Sequence, residues 1–458
     1  MFKRIAAIAV ALIGVLIAGL LVSLVLPSRP APESGPGPTT VSETTRVATP
    51  PPATSAPTAV GTAVKALATP TPTVDEARQV TDLLQQGMRQ QDSGDDAAIT
   101  TFQAILDRFP RSASAVEARF YLAQSLADAG RDAEAVVALQ TVQQQPQHEL
   151  AGAALFLAAR LQRRQGNLVG AIDLYQQYIE HEKAKDGLLS AYAYREIAAM
   201  QADLLQPAAA LESYKAALAA GIPADYAQTA RQSIAALATG LKDYDQALQW
   251  WAQFTDNARS VSERAQALYS TGLIQKQQDN QEAAGSTFAR LVQTYPETWY
   301  ALQALDALTK DGRDTPVLQQ AQVYYSNRRN PEAKAAYQRY LAQSPDGPSA
   351  GQARYRLAII EQRLGNYEQA LAALNDVQRQ YPDEAFARDA WLEAARTLTR
   401  LDRNAEAAAF FEKVAAWYPR SSEGEQALWE GGMIYYRLAR FADAARLLGR
   451  LRQDSPSS

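Results

Sequence analysis

The sequence predicts an all-α protein in which about ten helix pairs stack into a solenoid, preceded by one transmembrane helix and a disordered linker. Three observations lead to this prediction. The 458-residue chain opens on a long uncharged run, continues into a segment rich in proline and threonine, and then repeats an alanine-centred pattern. Self-similarity at a fixed period is typical of repeat architectures, in which each unit buries its apolar face against its neighbours.

Residues 1–26 have the features of a membrane signal-anchor. After Lys3 and Arg4, residues 5–26 contain no charged side chain. As a helix rising about 1.5 Å per residue they would span about 33 Å, more than the roughly 30 Å hydrocarbon core of a bilayer. The two basic residues favour a cytoplasmic N-terminus and an extracytoplasmic remainder. The alternatives are a cleaved signal, which leaves a secreted protein and usually has only about 7–15 apolar residues, and a buried soluble helix.

Residues 27–73 form a linker of different composition. They contain 11 of the 23 prolines, 11 threonines and no aromatic residue. Because proline removes backbone donors and too few apolar side chains are present to build a core, we expect a disordered, partly extended tether. At about 3.1 Å per residue it would reach at most about 150 Å. A plain spacer and an O-glycosylated stalk both fit this composition.

From Val74 onward, one alanine per unit anchors a repeat with a spacing near 37 residues. The ten anchors are Ala98, Ala135, Ala171, Ala210, Ala247, Ala284, Ala333, Ala370, Ala407 and Ala444. A bulky side chain follows four residues after each anchor, and a further apolar residue follows at seven, which makes one apolar stripe on a helix. A small residue stands twelve residues before nine of the anchors, where it allows a preceding helix to approach closely. Each unit is therefore predicted to be two helices joined by a short turn.

Turn and stop residues agree with this prediction. Gly130, Gly166 and Gly365 stand where the first helix of a pair would end in the left-handed region. Prolines twelve residues after an anchor end the second helix, because proline cannot continue the helical hydrogen-bond ladder. These prolines are Pro110, Pro296, Pro345, Pro382, Pro419 and Pro456.

A 49-residue interval between Ala284 and Ala333 interrupts the period. It has room for one extra short helix around residues 297–309. We therefore divide the array into residues 74–310, with repeats one to six and the extra helix, and residues 311–458, with repeats seven to ten.

The small residue of the first helix, the alanine–bulky pair of the second and the closing proline resemble the tetratricopeptide repeat. The resemblance covers most of the chain, with a period near 37 rather than 34 residues, as in many bacterial envelope members of the superfamily. It implies a right-handed superhelix whose first helices line the concave surface. It also implies a location in the bacterial cell envelope and a protein or peptide partner.

A narrower resemblance concerns residues 295–302. Together with the proline-closed repeats, the anchor and the tether, they are similar to the N-terminal helical region of soluble lytic transglycosylases. The catalytic glutamate of that family lies in a Glu-Ser motif of a lysozyme-like domain. Here Glu-Ser occurs at Glu33-Ser34 in the linker and at Glu212-Ser213 in a repeat helix, so the activity is not carried over. The sequence stops where another repeat helix would begin, without a visible polar capping helix. This predicts either a shortened member of that family or a stand-alone repeat protein with an exposed end.

Motifs and composition argue against an enzyme. The chain has no cysteine and only two histidines, His148 and His181, both predicted to be surface or capping residues at helix ends. It has no glycine-rich phosphate loop after a strand, no Walker lysine, and no zinc-protease or serine-hydrolase motif. Carboxylate pairs such as Asp95-Asp96 lie in predicted turns, where acids cap helices. We therefore predict no catalytic residue, no cofactor and no metal.

A second stripe on the first helix of each pair is the predicted ligand groove. It lies 15, 11 and 8 residues before the anchors and mixes aromatic rings with hydrogen-bonding side chains, which suits an extended peptide or a glycan strand. The candidates are Phe120, Phe156, Arg160, Arg163, Tyr269, Lys276, Tyr325, Tyr355, Arg396, Trp429 and Tyr436. The alternative is that the aromatic residues only pack between neighbouring units. In the aromatic doublets at 250–251, 299–300, 324–325 and 435–436, one narrow helix face cannot bury both rings, so one ring of each is a surface candidate.

Charge argues against nucleic acid as a partner. From Val74 onward the chain carries 40 basic and 47 acidic residues, whereas phosphate binding requires a basic face. The first functional hypothesis is a non-catalytic, membrane-tethered scaffold that binds a protein or peptide in the cell envelope. The second is the peptidoglycan-binding helical half of a truncated or split lytic transglycosylase. An enzyme with an unrecognised site is the third.

Overall fold

The computed structural model describes residues 74–182 and 187–454, and within them it contains 21 α-helices and no strand. The helices are α1 (Val74–Asp92), α2 (Ala97–Arg108), α3 (Ala115–Asp128), α4 (Asp132–Gln143), α5 (Ala151–Arg164), α6 (Leu168–Glu182), α7 (Gly187–Asp203), α8 (Pro207–Ala219), α9 (Ala224–Gly240), α10 (Tyr244–Asp256), α11 (Val261–Gln277), α12 (Gln281–Thr294), α13 (Trp299–Lys310), α14 (Val317–Ser326), α15 (Asn330–Gln343), α16 (Ala350–Arg363), α17 (Tyr367–Gln380), α18 (Ala385–Arg400), α19 (Asn404–Trp417), α20 (Ser422–Arg437) and α21 (Phe441–Asp454).

Each helix packs against the next one along the chain, and all but α13 form the ten predicted pairs. The predicted all-α repeat solenoid is therefore confirmed. The predicted transmembrane helix at residues 5–26 and the linker at residues 27–73 lie outside the described residues. Among the helices that are described, none combines the length and the apolar character needed to cross a membrane.

The anchor alanines lie in the interior of the pairs. All ten are buried, and the bulky residue four positions later is fully buried in several units, Phe288 among them. Gly272, one of the small residues of the first helices, lies against this ring: a Cβ at Gly272 would stand 2.4 Å from Cε1 of Phe288. The two helices of this pair therefore approach more closely than any larger residue allows, since protein interiors have no spare volume.

The turns inside the pairs share one backbone conformation. In every pair the residue five positions before the anchor, or four in the first pair, has a positive φ. Four of these residues are glycines, including the predicted Gly130, Gly166 and Gly365, whereas the other six are not. The six are Leu205, Lys242, Asp279, Arg328, Asp402 and Ala439. A left-handed residue at this position thus belongs to the repeat geometry, whatever side chain occupies it.

Five of the six closing prolines act as predicted, and the sixth, Pro456, lies outside the described residues. The second helices α2, α12, α15, α17 and α19 each end two residues before a proline. The intervening residue leaves the helical region, as Phe109 does with φ −132° and ψ 51°, because the ring of the following proline disfavours the α conformation there.

The predicted extra helix is α13, which packs on α11 and α12. Leu305 and Leu308 of α13 share one apolar cluster with Phe288 of α12 and Val323 of α14. Apolar packing therefore continues across the proposed boundary between residues 310 and 311, and that boundary stays a prediction.

Candidate functional site on the first helices of the pairs

The first helices of the pairs (α1, α3, α5, α7, α9, α11, α14, α16, α18 and α20) place part of their side chains side by side, and we call this surface the A face. Ring contacts connect neighbouring first helices. Tyr192 of α7 meets Tyr226 of α9 with ring centroids 5.4 Å apart, and Tyr355 of α16 stacks on Phe386 of α18 at 6.1 Å. Side chains about 30 residues apart in sequence thus become neighbours on the A face.

At α14 and α16, the A face is held together by arginines that contact one tyrosine. The guanidinium groups of Arg356 and Arg363 lie 4.6 Å and 4.3 Å from the centre of the Tyr325 ring. Arg356 also donates a hydrogen bond from Nη1 to the Tyr325 hydroxyl at 2.9 Å. Cation–π contacts of this kind stabilise the packing of one unit on the next, so the predicted candidate Tyr325 has its ring occupied from within the chain.

Arg396 of α18 is surrounded by acceptors. It donates hydrogen bonds to Glu430 of α20, to Oε1 of Glu393 at 2.6 Å and to Oε1 of Gln426 at 2.9 Å. These bonds, led by the one to Glu430, raise the pKa of Arg396 above its ordinary value. A guanidinium saturated by two carboxylates and an amide connects α18 to α20 and has little capacity left for a ligand.

Arg160, Arg163 and Arg195 form a different kind of cluster on α5 and α7, which we call the arginine cluster. The charges of all three oppose the rise that burial causes in the pKa of the Tyr175 hydroxyl. Arg163 and Arg195 both pair with Glu196, and the Arg195 guanidinium lies 4.6 Å from the centre of the Tyr226 ring. The Glu196 carboxylate therefore forms ion pairs with two of the three guanidinium groups.

Arg160 is the unsatisfied member of the arginine cluster. Within the described residues its guanidinium donates no hydrogen bond and forms no ion pair, although the side chain is half-buried. Burial lowers the pKa of Arg160 and that of Arg195 from their ordinary values. Burial also raises the pKa of Tyr175 to about 12, against the opposing effect of the three arginines. Since partial desolvation makes an unpaired cation unfavourable, an anion bound here would lower the free energy of the site.

Arg160 and Arg396 occupy the same position in their repeats, eleven residues before the anchor. Three residues earlier in the same helix, Arg396 has Glu393, whereas Arg160 has the buried Leu157. The absence of that second carboxylate leaves Arg160 with hydrogen-bonding capacity that Arg396 has lost.

The remaining candidate residues differ in their exposure. Phe120, Phe156 and Tyr355 are buried, which fits packing between neighbouring units. Tyr269 is half-buried beside Tyr300, with ring centroids 5.9 Å apart. The other predicted candidates are exposed or ion-paired. Lys276 donates to both carboxylate oxygens of Asp311 at 2.8 Å, and Trp429 and Tyr436 are exposed on α20.

The aromatic doublets and the histidines have structural partners. Trp299 and Tyr436 are exposed, so two doublets present one ring at the surface as expected. In the doublet at 250–251, Trp251 is buried and Trp250 is half-buried against the same apolar cluster. In the fourth doublet, at 324–325, both rings are half-buried. The histidines bond within their own neighbourhood: Nε2 of His181 lies 2.9 Å from the Pro146 carbonyl, and Nδ1 of His148 accepts from the Leu150 amide at 3.2 Å.

Several residues of the A face were not among the predicted candidates. Arg195 stands fifteen residues before its anchor, the same position as Phe120 and Phe156, so the spacing itself could have identified it. Arg356 and Glu196 lie one position outside the chosen offsets, and only the packing of neighbouring helices reveals their contacts.

The fold and the A face together define an α-helical repeat protein whose first helices present a continuous side-chain surface. The sequence profile described as tetratricopeptide repeat matches residues 84–149, 140–187, 318–385 and 362–422, and a second profile with that description matches residues 266–298. Together these matches cover just over half of the chain. The protein belongs to the tetratricopeptide-repeat family, and this fold suggests a scaffold for protein–protein interaction.

Several solved structures are similar to this chain at low sequence identity. The structure of Naa15/Naa10 bound to HypK-THB is 14% identical with a TM-score of 0.37, and the match covers 83% of this chain and 64%, less than two thirds, of that one. YrrB, described as a tetratricopeptide-repeat protein with an unusual peptide-binding site, is 17% identical over 45% of this chain and 97% of its own, with a TM-score of 0.34. PilF of Pseudomonas aeruginosa is 16% identical over 51% and 98%, with a TM-score of 0.32. No curated protein sequence matches the chain.

Proposed function

We propose that the protein is a non-catalytic scaffold, tethered to the bacterial cell membrane by residues 5–26, whose repeats bind an acidic segment of a partner protein outside the cytoplasm. The observation that supports this ligand class is the half-buried Arg160 guanidinium, which forms no hydrogen bond or ion pair with the described residues. The uncharged run beside Lys3 and Arg4 supports the tether.

A carboxylate fits the arginine cluster better than other common peptide groups. Two carboxylates oppose the three guanidinium groups: Glu196 pairs with Arg163 and Arg195, and the charge of Asp128 acts on Arg160 without a hydrogen bond. The cluster is therefore positive within a chain of net charge −4. Arginine offers paired N–H donors that match the two oxygens of a carboxylate. The Tyr226 ring below Arg195 keeps that guanidinium in place, so less rotational freedom is lost when a ligand binds.

Binding of a fluorescent peptide tests this assignment. A labelled peptide of alternating glutamate and serine should bind the protein more tightly than its lysine–serine counterpart. Arg160→Gln should weaken glutamate-peptide binding by about tenfold or more, because a hydrogen bond to a charged group contributes about 1.5–3 kcal/mol. Arg164→Gln is the matched control, since Arg164 lies one turn further along α5 but pairs with Asp132. Equal losses in both variants would mean that only overall charge matters.

A second variant adds the missing carboxylate instead of removing the cation. Leu157→Glu places an acid three residues before Arg160, as Glu393 stands before Arg396. We expect this variant to lose affinity for the glutamate peptide while Arg160 remains present. Circular dichroism checks that the helices persist, because Leu157 is buried.

Cell fractionation tests the tether separately. The full chain should sediment with membranes at its uncleaved mass, and a variant lacking residues 5–26 should become soluble. A shorter mature protein in the extracytoplasmic fraction would support the cleaved signal, and a full-length soluble protein would support the buried-helix alternative.

A glycan strand is the second candidate ligand. Its support is the segment at residues 295–302, which resembles lytic transglycosylases and presents Trp299, with 59% of its surface exposed. An exposed indole is suited to stacking on a sugar ring. Co-sedimentation with insoluble peptidoglycan, reduced by Trp299→Ala and unchanged by Arg160→Gln, would favour this ligand over the acidic peptide.

A further inference from the structure

The downstream side of a first helix is normally covered by the first helix of the next pair. On α16 this side carries Tyr355, Ile359 and Gln362, which are all buried. The Tyr355 ring stacks on Phe386 of α18, and Nε2 of Gln362 donates to Thr397 of α18 at 2.9 Å. These positions lie 15, 11 and 8 residues before their anchor, and they form the joint between successive units.

On α20 the same three positions are Trp429, Met433 and Tyr436, and nothing in the described part of the chain covers them. Their exposed fractions are 54%, 36% and 58%. Phe441 at the start of α21 is also exposed and meets the Tyr436 ring at 5.6 Å. We call these four residues the terminal face. Exposed large apolar residues are otherwise scattered along the solenoid, and a cluster of this kind is typical of an interaction surface.

We propose that the terminal face binds the terminal face of a second copy of this chain, with the two α20 helices antiparallel. The proposal is independent of the acidic-peptide function. A two-fold axis passing between Gly432 and Met433 sets Trp429 of one copy against Tyr436 of the other. The contact is then self-complementary, as a two-fold interface must be.

Charge along α20 favours this orientation. Glu423 and Glu425 lie in the first turn of α20, and Arg437 lies in its last turn. Antiparallel pairing therefore brings the acidic end of each helix to the basic end of the other, and it also opposes the two helix dipoles. A parallel pairing would place like charges together.

Head-to-tail stacking of two copies is less suitable. It would bring α20 against α1, which begins at Val74. Among residues 75–92 of α1, the exposed side chains are polar or charged apart from Ala77. Apolar surface gains little by contact with such a face, whereas two copies of the terminal face bury tryptophan and tyrosine together, the residue types that dominate binding at interfaces.

The chain has no cysteine, so cross-linking through one introduced thiol tests the pairing in the full-length protein. Met433→Cys places a thiol next to the two-fold axis, and a short bismaleimide added to cells expressing it should give a band of twice the 49.8 kDa chain. Val169→Cys, at an exposed position on α6, is the matched control and should give none. Adding Trp429→Asp to Met433→Cys should lower the dimer yield about tenfold or more, as expected for a central tryptophan.

A charge exchange tests the orientation. Glu425→Arg in the Met433→Cys background should lower the yield, and combining it with Arg437→Glu should restore it. Absence of the dimer band, equal bands from the two cysteine positions, or a yield unaffected by Trp429→Asp would each overturn the proposal. A cross-linked product of another mass would also overturn it, because it would show that a different protein covers the terminal face.

Discussion

The close approach at Gly272 makes a quantitative prediction about the joint between the two helices of a pair. In Gly272→Ala, the added Cβ lies 2.4 Å from Cε1 of Phe288 and 2.8 Å from its Cδ1 and Cζ. Phe288 is fully buried in the cluster around α11 to α14, so its ring cannot withdraw without displacing other side chains. Overpacking of this kind costs about 1–3 kcal/mol.

Alanine is also favoured over glycine in a helix by up to about 1 kcal/mol. Comparison with a second glycine-to-alanine substitution, at a position without a close contact, cancels this difference in helix propensity. Gly240→Ala is suitable, because Gly240 is in α9 and no atom lies within 4 Å of a Cβ placed there. We expect Gly272→Ala to be less favourable than Gly240→Ala by about 1–3 kcal/mol.

Amide hydrogen exchange of the full chain measures both effects locally, which is preferable because long repeat arrays do not unfold in one step. Amides of α11 and α12 should exchange faster in Gly272→Ala, and those of α9 and α10 should be unchanged or slower in Gly240→Ala. Adding Phe288→Leu should relieve part of the Gly272→Ala loss, since the two sites are in contact. Equal effects of the two glycine substitutions would refute the argument that this contact fixes the spacing of the pair.

Three further predictions concern single side chains. Leu205→Gly should stabilise the turn before α8 by up to about 1 kcal/mol, as measured by hydrogen exchange. Leu205 is 87% exposed and has a left-handed φ of 56°, a conformation that costs a non-glycine residue about 1–2 kcal/mol. The greater freedom of glycine in the unfolded chain offsets part of this gain. Arg396→Met should weaken protection of α18 and α20 by about 1–2 kcal/mol, because it leaves Glu430 unpaired at a site about 30% exposed; Arg379→Met, which removes a much more exposed pair, should have no measurable effect. Burial raises the pKa of the Tyr175 hydroxyl from 10 to about 12. Its contribution of about 2–3 kcal/mol to the free energy of unfolding is therefore fully present below pH 10 and is lost as the pH rises towards 12. Denaturation between pH 10 and 12 should therefore show a smaller loss of stability in Tyr175→Phe than in the unsubstituted protein. Identical pH profiles of the two proteins would contradict the raised pKa of Tyr175.

The features of the fold that were predictable from sequence are those fixed by residues near one another in the chain. An alanine anchor with a bulky residue four positions later defines a helix face, and a proline two residues past a helix explains its end. The left-handed turns were only partly predictable. Glycine at Gly166 gave a signal, whereas Lys242 and Arg328 gave none, because the packing of the pair imposes the conformation on whichever residue stands there.

Whether a side chain of the A face is available to a ligand depends on residues far away in sequence, and this is why identical residue types at identical repeat positions have different roles. Arg396 and Arg160 both stand eleven residues before an anchor, and each is followed, 34 or 36 residues later, by a glutamate on the next first helix. Glu430 reaches Arg396, whereas Glu196 pairs with Arg163 and Arg195.

The number of acceptors around each guanidinium therefore decides the role of an arginine on this surface. Arg396 has two carboxylates and connects neighbouring units, and its removal should be observed as a loss of stability. Arg160 has none within the described residues, and its removal should be observed as a loss of ligand affinity with little change in stability. Counting acceptors across neighbouring units distinguishes arginines that connect those units from arginines whose donors have no partner among the described residues, which the repeat position alone cannot do.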